Sequence, residues 1–186
     1  MEFQTDRLRI WVPEPDQAAR VVEYYFRNRK HLKRWEPLRN DHFYTEDFWR
    51  PQLAQNKVDA SNGVAYRMVI EIRKGPAVRP IMGIVNLSNV VRGSFQAAHV
   101  GYSIDHAHTR LGYMTEALNG LAQFAFDELG LHRLMANYIP SNAASAQALA
   151  KAGFEKEGFA PRYLRINDVW EDHVLTSRIH DDSLEP

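Results

Sequence analysis

The spacing of apolar residues changes repeatedly along the chain, and each change marks an element. Leu8-Arg9-Ile10-Trp11-Val12 alternates with the period of a strand and stops at Pro13 and Pro15. Ala18, Val21, Val22 and Tyr25 then share a helical face, with Asp16 as the expected N-cap. That helix runs out into Arg27, Arg29, Lys30, His31, Lys33 and Arg34, either a solvated helix end or a patch facing phosphates. A second helix can begin at Thr45, and Pro51 predicts a break or restart within it. Tyr66, Met68, Ile70 and Ile72 alternate within a strand over 64–73. Its partner strand covers 81–88, reached through a turn holding Gly75-Pro76 and Pro80.

The stretch from Ala98 to Gly158 organises the rest. A strand over 97–104 ends in Gly101-Tyr102-Ser103-Ile104, after a connector that carries Arg92-Gly93. Thr109 to Leu118 then reads as a loop running into a helix, where Leu118, Leu121, Ala122, Phe124, Ala125 and Leu129 recur at helical spacing up to a left-handed end at Gly130. A strand over 133–138 follows, and Pro140-Ser141-Asn142 opens a helix over 143–152 closed by Gly153. Closing strands are expected over 154–159 and 169–178, with a frayed polar tail after Ile179. A strand feeding a helix in this way aims the helix N-terminus, with its free N–H groups and dipole, at the strand's end. Gly112 lets the backbone approach an anion there, although a lone glycine is also what an ordinary tight turn needs. The order β-α-α-β-β-β-α-β-α-β-β predicts an α/β fold with helices packed on a mixed, strongly twisted sheet.

Composition narrows the chemistry. At 186 residues the chain is expected to form a single domain over 1–186, with a core over about 5–178. The 23 basic and 23 acidic residues balance, so nothing draws the whole molecule to nucleic acid. Cysteine is absent, which excludes disulfides, a thiolate nucleophile and cysteine metal sites, and suits a reducing, cytoplasmic setting. The N-terminus, with Glu2, Asp6, Arg7 and Arg9, does not read as a signal peptide, and no apolar run approaches the ~20 residues of a membrane helix. No cluster has metal-ligand spacing, and no nucleophile elbow is visible. His106 and His108 beside the loop read as surface residues or phosphate contacts.

Several stretches together resemble the GCN5-related N-acetyltransferases (GNAT), and within them the RimJ-type branch that acetylates the N-terminal alanine of a small-subunit ribosomal protein. They are Trp35-Glu36-Pro37, Ser88-Asn89-Val90-Val91-Arg92-Gly93-Ser94-Phe95, Gly101-Tyr102-Ser103-Ile104, His132-Arg133-Leu134-Met135-Ala136-Asn137-Tyr138, Gly153-Phe154-Glu155-Lys156-Glu157-Gly158 and Asp172-His173-Val174-Leu175. The resemblance implies a sheet of about seven strands. It also implies a splayed central pair, 97–104 and 133–138, that admits the pantetheine arm of acetyl-CoA. The family's loop pattern is Gln/Arg-x-x-Gly-x-Gly/Ala, and here it reads Thr109-x-x-Gly112-x-Met114. Leu111 stands where relatives often carry lysine, and Arg110 offers a cation one position away.

By the same resemblance, backbone groups of Arg110, Leu111, Gly112, Tyr113, Met114 and Thr115 hold the pyrophosphate. A backbone N–H on the strand end Tyr102-Ser103-Ile104 polarises the thioester, and Asn142 bonds the amide arm, caps the helix that follows, or does both. Many relatives protonate the leaving thiolate with a tyrosine at what is here Leu149. Ser145 is the remaining candidate acid and cofactor contact, with helix packing as the plainer reading. Glu36 is a loose candidate for receiving the substrate ammonium, and Arg162 stands where some relatives carry an acid. An α-amine of pKa near ~7.8 is about a quarter neutral at pH 7.4, against about one part in a thousand for a lysine at ~10.4. A site without a strong base therefore suits an N-terminal amine. The expected activity is acetyl transfer from acetyl-CoA, without a metal, to a protein N-terminus, that of a ribosomal protein. A small amine acceptor, a polyamine or an antibiotic, and a silent coenzyme A binding module are the alternatives, and contact with ribosomal RNA and a monomer or homodimer state stay open.

Overall fold

The computed structural model describes residues 1–74 and 79–180. The Gly75-Pro76 turn and residues 181–186 of the expected tail lie outside the described residues. The elements are β1 (Glu2–Gln4), β2 (Leu8–Trp11), α1 (Ala18–Leu32), α2 (Glu46–Ser61), β3 (Tyr66–Ile72), β4 (Gly83–Val91), β5 (Ala97–Ile104), α3 (Tyr113–Gln123), β6 (Arg133–Tyr138), α4 (Ala143–Lys151), β7 (Glu155–Ile166) and β8 (Val169–Ile179). They form one mixed sheet in the order β1-β2-β3-β4-β5-β6-β8-β7. The eighth strand, β1, is too short to show alternation and exists through its pairing with β2, Phe3 opposite Ile10.

Among the described residues only β5 and β6 are parallel, and they pair just at Ala97–Arg133, Ala98–Leu134 and His99–Met135. Beyond His99 the two strands part, which is the splay the resemblance implies. The sheet is covered on both faces. On one, α3 and α4 bury Met114, Ala117, Leu118, Leu121 and Leu149 against Met68, Val85, Leu87 and Val100. On the other, α1 and α2 bury Val21, Tyr24, Trp49 and Leu53 against Trp11, Val69 and Ile84.

Four local expectations are corrected. Asp16 lies in a 3-10 turn over Pro15–Gln17, and α1 starts after Gln17 without a side-chain cap. Pro51 leaves α2 unbroken, because Thr45 caps the helix through Phe48 N–H and the buried stripe Trp49, Leu53, Asn56, Ala60 holds both sides of the proline in place. The third helix passes into a π-helical turn over Phe124–Glu128 before Gly130 at φ +59°. The wider turn lets consecutive Phe124, Ala125 and Phe126 all bury. Finally, β7 runs seven residues past Phe159 to Ile166, and Asn167 and Asp168, both at positive φ, turn tightly into β8. His180, in the expected tail, donates its N–H to His132 O at 2.8 Å.

Candidate active site

The loop between β5 and α3 is held from both ends. At its start, the Asp105 carboxylate is 2% exposed and accepts from Arg27 Nε at 2.7 Å and from Ala107 N–H at 2.9 Å. Burial pushes this carboxyl up, but those hydrogen bonds outweigh it and hold it below its usual value. Arg27 is thus taken out of the expected solvated run. At the loop's other end, Arg7 reaches across from the β1–β2 hairpin. Its Nη1 donates to Leu111 O at 3.1 Å, its Nε to Glu116 Oε2 at 2.5 Å, and its guanidinium lies 4.4 Å from the Tyr113 ring centre. Thr5 Oγ1 also donates to Glu116, at 2.5 Å.

Between these ties, Arg110 has φ +63° and Gly112 φ +79°. A non-glycine residue held in the left-handed region is strained, and such strain gathers at ligand sites. The first intrahelical bond of α3 runs from Glu116 N–H to Gly112 O at 3.1 Å, so the N–H groups of Tyr113, Met114 and Thr115 precede it. A Cβ built on Gly112 has one neighbour, Arg7 Nη2 at 3.4 Å, and opens otherwise onto free space. That open cradle of N–H groups fits a diphosphate. Met114 contributes only backbone, its side chain being buried, whereas the Leu111 side chain is 53% exposed. An open groove of about 1220 Å³ continues along α3 past Gly112, Thr115 and Asn119 to Lys151 and Arg178.

At the splay the residues of β5 alternate between the two faces. Tyr102 and Ile104 pack toward α3 and α4. The Tyr102 hydroxyl lies 2.6 Å from Ser145 Oγ, and burial pushes this phenol up to about 12. Ser145 is the third residue of α4, and its N–H donates to Asn142 Oδ1 at 3.1 Å, so Asn142 is an N-cap. Leu149 is 1% exposed in the core and offers no proton. Ser103 points the other way, its hydroxyl 2.8 Å from that of Tyr24 in α1.

Glu36 belongs to this second face, apart from Ser145. The chain turns sharply out of α1, with Trp35 and Glu36 N–H groups both donating to Leu32 O. This places Glu36 in a pocket of about 270 Å³ with Tyr25, Leu32, Leu38 and Tyr44. Its side chain is 22% exposed, with Arg39 Nη2 at 4.0 Å. Burial raises the Glu36 carboxyl above its usual value, against the pull of Arg39. Arg162 sits in the irregular part of β7 at φ +50° and donates its N–H to Asp172 Oδ1 at 2.8 Å.

Sequence reasoning missed Arg7, Thr5 and Glu116 as the clasp on the loop. It also missed Asn86 Oδ1 and His99 Nδ1, two of four buried polar side-chain atoms without a hydrogen-bond partner among the described residues. Both residues lie on the Ser103 face, since Asn86 is opposite Gly101 and His99 opposite Ser88.

The comparisons with known proteins agree with this geometry. Residues 7–155 match the acetyltransferase (GNAT) domain family. The chain is 40% identical over 177 residues to the [ribosomal protein uS5]-alanine N-acetyltransferase of Escherichia coli, covering 95% of this chain and 90% of that protein. The crystal structure of ribosomal-protein-S5-alanine acetyltransferase from Vibrio fischeri superposes with a TM-score of 0.91 at 39% identity, over 98% of both chains. Mycobacterium smegmatis RimJ in complex with CoA-disulfide gives 0.86 at 26% identity, over 96% of this chain and 84% of that one. With the loop, the splayed pair and these likenesses in agreement, the chain belongs to the GCN5-related N-acetyltransferase family and is an acetyl-CoA dependent N-acetyltransferase.

Proposed function

We propose that the protein acetylates the N-terminal α-amine of a ribosomal protein, an alanine first of all, working as one catalytic unit in the cytoplasm. The observation that carries this reading is the division of labour across the β5–β6 gap. The hydroxyl pair Tyr102–Ser145 lies on the α3/α4 face and the Glu36 pocket on the α1/α2 face. Among the described residues no helix is long and apolar enough to cross a membrane.

In this reading the N–H groups from Arg110 to Thr115 bind the pyrophosphate of acetyl-CoA, and the open edge of β5 at Gly101–Ile104 receives its pantetheine arm. Glu36 receives the acceptor's ammonium and is the candidate for taking its proton. The neutral amine nitrogen then bonds to the thioester carbon, whose oxygen is stabilised by a β5 N–H group. As the carbon–sulfur bond breaks, Ser145 donates its hydroxyl proton to the sulfur and regains one from Tyr102, 2.6 Å away, and solvent returns a proton to the phenol before the next turnover. The second proton of the amine leaves to solvent as the amide forms. The cations around the Glu36 pocket, Arg29, Lys30 and Lys33, repel a polyamine, which favours a peptide over that alternative acceptor.

The test is acetylation of an alanine-led peptide beside the same peptide with a blocked N-terminus and one free lysine. Mass spectrometry should find acetyl only on the free α-amine, with the rate climbing through the α-amine pKa near ~7.8 and flattening above it. Comparable modification of the blocked peptide overturns the α-amine assignment.

A further inference from the structure

The mouth of the Glu36 pocket carries a charge pattern that transfer to an amine does not require. The whole chain is electrically balanced, with 23 basic and 23 acidic residues. Elsewhere Arg7, Arg27, Arg67 and Arg133 each sit within 2.7 Å of a carboxylate oxygen. Arg29, Lys30 and Lys33, exposed side by side where α1 ends, have no carboxylate within ion-pair distance among the described residues, yet all three line the pocket. Arg39 completes the rim. Two of these cations are braced on aromatic rings, Arg29 at 4.5 Å from the centre of Phe26 and Arg39 at 4.4 Å from that of Phe43. Holding like charges together in this way is unfavourable unless an anion joins them.

The pocket therefore has two electrostatic levels. Inside is a half-buried carboxylate, Glu36, and around it a collar of exposed cations. A phosphate backbone matches the collar but is repelled by the carboxylate within it. A polypeptide N-terminus followed by acidic side chains matches both, ammonium inside and carboxylates at the rim. The pocket is small, so the rim meets the residues that follow the first. Exposed Leu38 adds an apolar contact beside them.

Resting on the acetyl-transfer reading above, we propose that this collar selects acceptor N-termini whose residues after the first carry acidic side chains. Arg29 and Lys33, one helical turn apart, are its specificity-determining pair.

Three peptides test it, each beginning with a free alanine and labelled at the C-terminus, with glutamate, serine or lysine at the third and fifth positions. Fluorescence anisotropy in the presence of coenzyme A reads affinity independently of turnover. The glutamate peptide should bind about tenfold more tightly than the serine peptide and more tightly still than the lysine peptide at about 20 mM salt. The spread should collapse at about 500 mM salt, where the screening length falls to a few ångströms. Arg29→Glu combined with Lys33→Glu should invert the order, with acetyl-CoA affinity by calorimetry reporting that the variant is folded. Equal affinity of wild type for all three peptides overturns the collar and leaves α-amine acetylation standing. The predicted order without turnover keeps the collar and removes the catalytic reading. An unchanged peptide order in the double variant, together with lost affinity for an RNA hairpin, overturns the proposal in favour of nucleic acid.

Discussion

On the α3/α4 face of the sheet, the groups proposed to meet the cofactor are backbone N–H groups and two hydroxyls 2.6 Å apart. On the α1/α2 face, the groups around the pocket are a half-buried carboxylate and long cationic side chains. The first set is fixed by the fold, because a helix N-terminus and a strand edge have no rotamers to lose. The second is mobile, since ordering a lysine or arginine costs up to about 2 kcal/mol of side-chain entropy. On the proposed reading, an unvarying cofactor meets the rigid side and an acceptor defined by its sequence meets the adjustable one. Substitutions on the rigid side should accordingly do more damage.

Gly112→Val should do the most. The residue sits at φ +79°, where a β-branched side chain costs about 1–3 kcal/mol, and its Cβ would project into the open cradle. Acetyl-CoA affinity should fall by ~10²-fold or more while the protein stays folded, since a Cβ there meets only Arg7 Nη2 at 3.4 Å. Calorimetry beside a circular dichroism melt checks both halves, and unchanged affinity in a folded variant removes the loop from the site.

Next comes Ser145→Ala, with kcat lowered about 10²-fold and cofactor affinity nearly unchanged. Tyr102→Phe should show the same pattern more weakly, about tenfold, because it keeps Ser145 but removes the hydroxyl that resupplies it. A Tyr102→Phe effect confined to KM would make the phenol a packing group.

The two faces also differed in how far the sequence disclosed them. The strand, loop and helices from β5 to α4 were legible because each ends on a local signal: Gly112, Gly130, the Asn142 cap, Gly153. What lies far apart in sequence was not. Arg7 and Glu116 are 109 positions apart, and nothing in either neighbourhood announces the other. Arg27 looked like one more cation at a helix end until Asp105, 78 positions on, proved to be its partner. Glu36 was named from a resemblance alone, since its half-burial depends on how α1 and the Tyr44 turn close over it. Pro51 misled because a local rule was weighed without the packing of Trp49 and Leu53 that overrides it.

The Arg7–Glu116 clasp gives a smaller effect that crosses the divide. Arg7→Ala removes the donor to Leu111 O and leaves the Glu116 carboxylate with Thr5 and one N–H group. The loop should loosen, raising the acetyl-CoA dissociation constant about threefold to tenfold with kcat at saturation kept. A change in kcat alone would mean that the clasp orders something other than the cofactor loop.

The smallest effect should have the opposite sign. Glu36 has its carboxyl raised by burial, so the folded protein holds that proton more tightly than the unfolded chain does. Stability then falls as pH rises from the unfolded value toward and past the raised folded one, and above both the ionised carboxylate is a standing cost. Glu36→Gln removes that cost while keeping the shape. The variant should melt slightly higher than wild type near pH 7, by on the order of one or two degrees, and the two should converge below about pH 4, where both side chains are neutral. The same substitution should raise KM for an alanine-led peptide. Higher stability together with weaker acceptor binding is expected of a residue kept for its ligand. A Glu36→Gln variant that melts lower at neutral pH would mean that Arg39, 4.0 Å away, stabilises the carboxylate more than burial penalises it, and that Glu36 serves the fold.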